Sequence, residues 1–486
     1  MTFKPTPEQE RIVAAAKGST NNLIVQALAG AAKTSTLVLL ADALPTTSIL
    51  CLAFNKKIAV EMTERLPPNC QAKTLNGLGH QVWGQFLGKR LIVEKSKIYD
   101  MVLAEANGLS DRDKEDFMEV FADTIHAVSA GKTAGYLPDG TDDYARPLMG
   151  DDEFYAWLDD RPSDIQWEII KKVSKRSVTL GKQGIIDFDD QILLPTVFPA
   201  SFPQFPLVMV DEAQDLSALN HATLRKLAKK RLIAVGDPCQ AIYGFRGAHE
   251  DSMELLRETF KMDPLILSVS FRCPRKVVEE AHWRAPHMQY PDWAIEGEVR
   301  RFETWEKELI EDGSAVICRN NAPLFSLAIK LLRHGRYPQI IGNDIGQYLL
   351  KVMKKLGKQD MLIKDARQAL AEWEEAKLKK ARNHSKVKDQ VACISVFLDN
   401  ADTLGGAMSY AEHIFRSQGP VMFMTGHKSK GLEFDNVYIL DEKLLKIGEG
   451  GQDENLKYVM QTRAKKRLNY ITSEGFMDEF AEQESA

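Results

Sequence analysis

Several features that would give this chain away at once are missing from it. The six cysteines (Cys51, Cys70, Cys239, Cys273, Cys318 and Cys393) contain no Cys-x-x-Cys pair. Their wide spacing gives neither a zinc cluster nor a disulfide framework, and a reducing compartment fits best. Basic charge is not in excess, since 63 Lys and Arg stand against 68 Asp and Glu, for a net charge of −5. A protein that coats nucleic acid by bulk charge is basic, so any nucleic-acid contact here must come from local grooves and stacking. Long apolar runs are also lacking: the stretch from Thr34 to Phe54 is broken by Asp42 and Pro45, short of the ~18 residues a membrane span needs. The N-terminal Met-Thr-Phe-Lys-Pro-Thr-Pro has no apolar targeting core. No membrane partner is expected, and the expected location is the cytoplasm, with the nucleoid or, for a viral protein, the host cytoplasm as variants. The sequence shows no internal repeat, no low-complexity tract and no second acidic constellation of a nuclease kind.

What is present is an ordinary globular composition, 44% hydrophobic and 27% charged over 486 residues, long enough for about two to four domains. Short apolar runs alternate with helix-length segments, at Leu23–Ala27, Ile49–Phe54, Leu207–Val210, Leu232–Val235, Ala315–Cys318, Val421–Met424 and Val437–Leu440. Runs of this length bounded by turn residues read as buried parallel strands, and the alternation is the α/β pattern. The runs fall into two sets separated by about 80 residues around Ala248–Ala315, which predicts two sheets. Residues 86–180 and 346–416 turn helical and charged, and they read as insertions into the two cores. Within the second, Lys354–Gln390 carries Ala369, Leu370 and Trp373 at helical spacing and reads as a solvated amphipathic helix.

Two motifs carry chemistry. Ala27-Leu-Ala29-Gly30-Ala31-Ala32-Lys33-Thr34-Ser35 lies between an apolar strand and a helical segment, the context of a phosphate loop. In such a loop backbone N–H groups cradle phosphates, Lys33 reaches the β- and γ-phosphates and Thr34 holds Mg²⁺. The position before the lysine, usually glycine, is Ala32, so the segment alone reads equally well as a tight helix start. An alanine there is cheap in the right-handed region and costs about a kcal/mol or more at positive φ. The second motif, Leu207-Val-Met-Val210-Asp211-Glu212-Ala-Gln214-Asp215, is an apolar strand ending in adjacent carboxylates. Asp211 can coordinate the nucleotide's Mg²⁺ while Glu212 aligns and deprotonates the attacking water; alone, the pair reads as a charged turn. Together, the motifs point to an NTPase.

A further segment, Val235-Gly-Asp-Pro-Cys-Gln240-Ala-Ile-Tyr243-Gly-Phe245-Arg246-Gly-Ala248, resembles motif III of the UvrD/Rep branch of superfamily 1 helicases. The other motifs of that branch follow in order. Thr6-Pro-Glu-Gln9 resembles the Q motif, Leu52-Ala-Phe54-Asn55-Lys56 motif Ia, and Ile186-Asp-Phe-Asp-Asp190 the short signature ahead of motif II. Leu267-Ser-Val-Ser-Phe271-Arg272 resembles motif IV, Thr425-Gly-His427-Lys-Ser-Lys-Gly-Leu-Glu433-Phe motif V, and Tyr458-Val-Met-Gln-Thr-Arg463-Ala motif VI. Residues 32–38 and 53–59 look most like the F-box DNA helicase subgroup, although no segment reads as an F-box.

The resemblance implies two RecA-like parallel-sheet motor domains in tandem, each with a mostly helical insertion. The first would comprise residues 1–85 and 181–248 around the insertion 86–180, the second residues 249–345 and 417–486 around 346–416. It implies ATP and Mg²⁺ as cofactors, with Gln9 reading adenine and the loop residues 29–35 holding phosphate. Phe271 would stack on the base, Glu433 would touch the sugar, Gln240 would sense the γ-phosphate, and Arg272 and Arg463 would stabilise transferring charge. Phe54, Tyr243 and Phe245 occupy DNA-facing positions, where stacking is sequence-tolerant. Asn55, Lys56, Arg246 and His427 are either DNA contacts or local structural ones, and Asn76 stands where the branch carries His.

The implied function is an ATP-dependent helicase and translocase moving 3′ to 5′ on single-stranded DNA and acting at single-strand/duplex junctions. Recombination or replication proteins are possible partners. Two other readings compete: an ATPase that displaces proteins such as recombinase filaments with little unwinding, and a non-hydrolysing DNA-binding scaffold disarmed by Ala32. A compact viral or bacterial accessory helicase suits the short second insertion and lack of tails.

Overall fold

The computed structural model describes residues 5–158, 161–244, 251–380, 384–448 and 452–477. The chain divides into two compact units, Met1–Leu28 with Ala32–Leu267, and Ser268–Ala486 with Ala29–Ala31.

The first unit is built on a six-stranded parallel sheet. Its strands are β1 (Leu23–Ala27), β2 (Ile49–Ala53), β3 (Cys70–Thr74), β6 (Leu207–Val210), β7 (Leu232–Gly236) and β8 (Asp263–Leu267), in the order β3-β2-β6-β7-β1-β8. Between β3 and β6 in the chain lie the short parallel pair β4 (Ile92–Val93) and β5 (Ile185–Ile186) and a set of helices. The helices Lys97–Asn107, Asp111–Ala134, Asp151–Trp157 and Asp164–Gln183 close around their own core of Met101, Val102, Phe117, Tyr136, Phe154, Ile170 and Val173. Ser110 and Ser163 cap the two long helices by accepting from Asp113 and Gln166 N–H, each such cap contributing about 1 kcal/mol.

The second unit has a second six-stranded parallel sheet, ordered β11-β12-β10-β13-β14-β9. These strands are β9 (Glu298–Arg301), β10 (Ala315–Cys318), β11 (Pro338–Ile340), β12 (Val421–Thr425), β13 (Phe434–Leu440) and β14 (Ala464–Ile471). Four helices between β11 and β12 (Asn343–Leu356, Ile363–Lys380, His384–Leu398 and Leu404–Arg416) do not form a separate body. Leu349, Met353, Leu370, Phe397 and Leu404 share one core with Val316 and Phe423 of the sheet and Phe325 of the helix Asn321–Arg333. Ala369 and Trp373 pack only partly against that core, as a half-solvated amphipathic helix requires.

The expected change of domain at residue 249 is corrected by strand pairing. The helix Ser252–Phe260 and β8 belong to the first unit, where β8 runs parallel to β1 from Leu23 opposite Asp263 to Ala27 opposite Leu267. The interval that read as a gap between two sheets thus holds the last strand of one and the first of the other. No helix among the described residues is long and apolar enough to cross a membrane.

Candidate nucleotide site and nucleic-acid face

The C-terminal ends of β1, β6 and β7 bring the catalytic candidates of the first unit together, the expected place for a ligand site in a parallel α/β sheet. After β1 the chain turns through two left-handed residues, Gly30 (φ 75°) and Ala32 (φ 57°, ψ 43°), into the helix Lys33–Asp42. Of the two courses open to Ala32, the structure takes the strained one. No side chain caps that helix and its first turn carries no acid, which leaves its N-terminal dipole to an anion.

Lys33 Nζ pairs with Glu212 Oε2 at 3.0 Å, and Thr34 Oγ1 donates to Asp211 Oδ2 at 3.4 Å. Glu212 is itself left-handed (φ 51°, ψ 44°), and its N–H donates to Asp211 Oδ1 at 2.9 Å. Such strain in a non-glycine residue costs on the order of 1–3 kcal/mol and gathers at functional sites. Burial, with Glu212 alongside, pushes the Asp211 carboxyl up to about 7. Burial works against the Lys33 ammonium, but Glu212, Asp237 and Asp211 outweigh it and hold the ammonium above its ordinary value.

Two positioning residues not among the predicted site residues complete the network. Gln214 Nε2 donates to Glu212 Oε2 at 2.6 Å, and Gln214 Oε1 accepts from Asp237 N–H at 2.9 Å. Asp237 in turn accepts from Gln240 Nε2 at 2.7 Å and from Cys239 N–H at 3.0 Å. The candidate water activator and the candidate γ-phosphate sensor are therefore linked through Gln214 and Asp237. The oxygen pair Thr34 Oγ1 and Asp211 fits Mg²⁺, a hard cation that takes one or two protein oxygens and leaves the rest to phosphate and water. No group of three or more His, Cys, Asp or Glu suited to a metal occurs among the described residues.

Gln9 has both ends of its amide bonded within the protein. It is fully buried; its Oε1 accepts from Thr6 N–H and its Nε2 donates to Thr36 Oγ1, both at 3.0 Å. The amide oxygen thus completes a capping box with Thr6, and the amide nitrogen anchors the helix Pro7–Gly18 to the phosphate-loop helix through Thr36. Ser35 Oγ accepts from Arg65 Nη2 at 3.0 Å.

On the candidate DNA face of the first unit, Phe54 is 46% exposed and lies parallel to Tyr243, with centroids 6.3 Å apart and planes at 6°. Asn55 caps the helix Lys56–Arg65, its Oδ1 accepting from Ile58 N–H at 2.9 Å, and Lys56 is exposed at that helix's first position. Asn76 donates to the carbonyl of Phe188 at 2.9 Å, which ties it to an aromatic that is 64% exposed. Phe245 and Arg246 lie outside the described residues.

In the second unit Arg272 Nε pairs with Glu433 Oε2 at 2.7 Å. Arg463 is 1% exposed, its guanidinium donating to the carbonyls of Val459 and Leu432 and to Thr462 Oγ1 at 2.9–3.2 Å. Phe271 lies against Trp293, and His427 sits in the one-turn helix Gly426–Ser429 after β12.

A parallel sheet whose strand ends carry a phosphate loop, its lysine and adjacent carboxylates defines a phosphate-loop nucleotide-binding protein. The chain belongs to the UvrD-like helicase family, matching the UvrD/REP helicase N-terminal domain over residues 6–261 and the UvrD-like helicase C-terminal domain over 339–475. It is similar to F-box DNA helicase protein 1 of Schizosaccharomyces pombe, at 23% identity over 95% of this chain and 57% of that one. It is also similar to F-box DNA helicase 1 of Gallus gallus, at 24% identity over 96% and 49%. DNA helicase II of Haemophilus influenzae matches at 23% identity over 57% of this chain and 39% of its own length. The chain spans about half the length of the F-box relatives.

Proposed function

We propose that this chain is an ATP-dependent motor that moves 3′ to 5′ along single-stranded DNA and couples hydrolysis to unwinding at single-strand/duplex junctions. The observation that carries this reading is the Lys33–Glu212 pair beside Thr34–Asp211, on one strand-end platform. The loop N–H groups and Lys33 bind the β- and γ-phosphates, and Glu212 accepts the proton of the attacking water. Thr34 and Asp211 would hold the Mg²⁺ that, when bound, neutralises charge on the phosphates. Gln240 reads the γ-phosphate, held by Asp237. Arg272 and Arg463 add positive charge to the transferring phosphoryl group, as arginine fingers do. Phe54 and Tyr243 offer bases a face worth about 1–3 kcal/mol per base without sequence preference. Residues 86–180 form the insertion of the first motor domain, and residues 346–416 that of the second.

Steady-state ATP hydrolysis with and without single-stranded DNA, for the wild type and Glu212→Gln, tests the reading. Strong DNA stimulation is expected, with the variant losing about 10²–10⁴-fold, the contribution of a positioned general base. No hydrolysis by the wild type with DNA present overturns it in favour of the scaffold reading. Strand-displacement and protein-displacement assays run side by side separate the unwinding motor from a protein-stripping ATPase.

A further inference from the structure

Two buried side chains outside the Lys33 network reach the left-handed turn at Glu212. Ser252, the first residue of the helix Ser252–Phe260, is 1% exposed, and His221, on the helix Ala218–Leu227, is 3% exposed. Ser252 Oγ donates to the carbonyl of Ala213 at 2.7 Å, and His221 Nε2 lies 2.9 Å from the same Oγ. A carbonyl only accepts and a hydroxyl has one hydrogen to give, so His221 Nε2 carries a hydrogen and donates it to Ser252. The imidazole thereby fixes the hydroxyl rotor, and the hydroxyl fixes the carbonyl. A serine at the start of a helix ordinarily caps that helix. The bonds of Ser252 to His221 and Ala213 both leave its helix instead.

Ala213 stands between Glu212 and Gln214, in the single turn Ala213–Asp215. It is fully buried, so its carbonyl needs a partner inside the protein. The bonds from Glu212 N–H to Asp211 Oδ1 and from Asp215 N–H to the Glu212 carbonyl, at 2.9 and 3.0 Å, stay within the same short stretch of chain. The Ser252 bond comes from a separate element, and that element packs closely. At Gly236, which ends β7, a Cβ would come 2.5 Å from Gln214 Oε1 and 2.9 Å from Met253 Sδ. A side chain there would push against both the turn and the helix that carries Ser252. A non-glycine residue keeps a left-handed conformation only where its surroundings over-determine it.

We infer that Ser252, oriented by His221, is a positioning residue for hydrolysis: its hydroxyl locks the Ala213 peptide and so keeps the Glu212 carboxylate aimed at the attacking water. Without the hydroxyl, the Glu212 backbone relaxes toward the right-handed region and turns the carboxylate away. A misplacement of about 1 Å costs on the order of 10²-fold in rate. Lys33, Thr34 and the loop N–H groups do not touch Ser252, so phosphate binding is retained. The inference rests on the reading of Glu212 as the base.

The test is ATP hydrolysis by the whole chain at saturating single-stranded DNA, with equilibrium binding of a fluorescent ATP in parallel. The proteins are the wild type, Ser252→Ala, Ser252→Thr, Glu212→Gln and the double variant Ser252→Ala with Glu212→Gln. Ser252→Ala deletes one oxygen and no carbon, and its ATP binding reports that the site is intact. Its kcat is expected to fall about 10- to 100-fold, with KM and Kd for ATP within about twofold of wild type. Ser252→Thr, which keeps the hydroxyl, restores most of the kcat. In the Glu212→Gln background, followed as single turnovers of labelled ATP, adding Ser252→Ala lowers the rate by less than about twofold, because a residue acting through Glu212 has nothing left to position. A tenfold loss that persists in that background overturns the inference, as does a fall in kcat matched by weaker ATP binding. Ser252→Thr as slow as Ser252→Ala likewise overturns it. If Glu212→Gln is slow and Ser252→Ala is not, only the present inference falls; if Glu212→Gln keeps the wild-type kcat, the reading of Glu212 as the base falls with it.

Discussion

The first unit contains two buried clusters of lysine and carboxylate, and they are balanced in opposite ways. In one, Lys97 and Lys132 face Asp187 and Asp190. Lys97 Nζ pairs with Asp190 at 2.5 Å, and Lys132 Nζ pairs with Asp190 at 2.7 Å and also with Asp187. In the other, Lys33 faces three carboxylates, those of Glu212, Asp237 and Asp211. The first closes on itself: burial disfavours the Asp190 charge, but Lys132 and Lys97 outweigh it and hold its carboxyl below the usual range. In the second, three carboxylates share Lys33, and burial with Glu212 nearby drives Asp211 up to about 7. A matched buried set specifies structure, whereas a buried carboxylate excess is a standing demand for a cation. Strain follows the same division. Ala32 and Glu212 are left-handed beside the unmatched cluster, and none of the four residues of the matched one is.

Removing one lysine from each cluster gives the sharpest break. Lys132→Met leaves carboxylates buried with half their compensation and is expected to cost about 3–5 kcal/mol of unfolding free energy. Lys33→Met is expected to remove phosphate binding and hydrolysis, yet its stability cost is expected to stay below about 2 kcal/mol, because Asp211, pushed up to about 7 by burial, takes up a proton and lowers the negative charge left around Glu212. Denaturant unfolding of both variants, with ATP hydrolysis measured beside it, checks this. Equal stability losses would dissolve the distinction.

A smaller effect sharpens it. Beside the matched quartet, burial, with Asp187 alongside, outweighs the pull of Lys132 on Asp189 and pushes that carboxyl up to about 6. The folded-state value is therefore above the unfolded one of about 3.9. Asp189 then contributes stability that is fully present below about pH 4 and is lost as pH rises through 6. Asp189→Asn is expected to flatten that fall and to be more stable than the wild type at pH 7.5 by about 1 kcal/mol, after allowance for its partial exposure to water. Thermal melts of both proteins from pH 4 to 8 provide the check; parallel curves would show that the quartet does neutralise Asp189.

Legibility in the sequence follows the same physics. The central strands β1, β2, β6, β7 and β10 are buried on both faces, so each is a nearly unbroken apolar run that the pattern alone locates. The edge strands are half solvated: β3 carries Gln71 and Lys73, β8 opens on Asp263-Pro264, and β9 ends in Arg300-Arg301. Their polar residues hid them and moved the expected domain boundary. At the candidate site, chemistry fixes residue types next to one another along the chain, so Lys33-Thr34 and Asp211-Glu212 were readable. Gln214 lay within a motif that was read, yet its role as the link from Glu212 to Asp237 appears only once two strand ends are side by side. The quartet joins residues 93 positions apart, Lys97 to Asp190, and no local pattern announces it.

The smallest expected effect concerns the strain itself. A left-handed alanine costs roughly 1–2 kcal/mol relative to a conformation it prefers, and Ala32 at φ 57° holds that conformation directly before Lys33. Glycine removes the cost in the folded state but gives back about 0.4–1 kcal/mol through the greater freedom of the unfolded chain. Ala32→Gly is therefore expected to stabilise the protein by at most about 1 kcal/mol and to leave ATP hydrolysis undiminished, because the backbone path that aims the loop N–H groups is already the one a glycine would take. Unfolding by denaturant and KM for ATP are the measurements. A loss of ATP affinity in the glycine variant would mean that the alanine methyl holds the loop in place, and that the strain beside the unmatched cluster is maintained for binding.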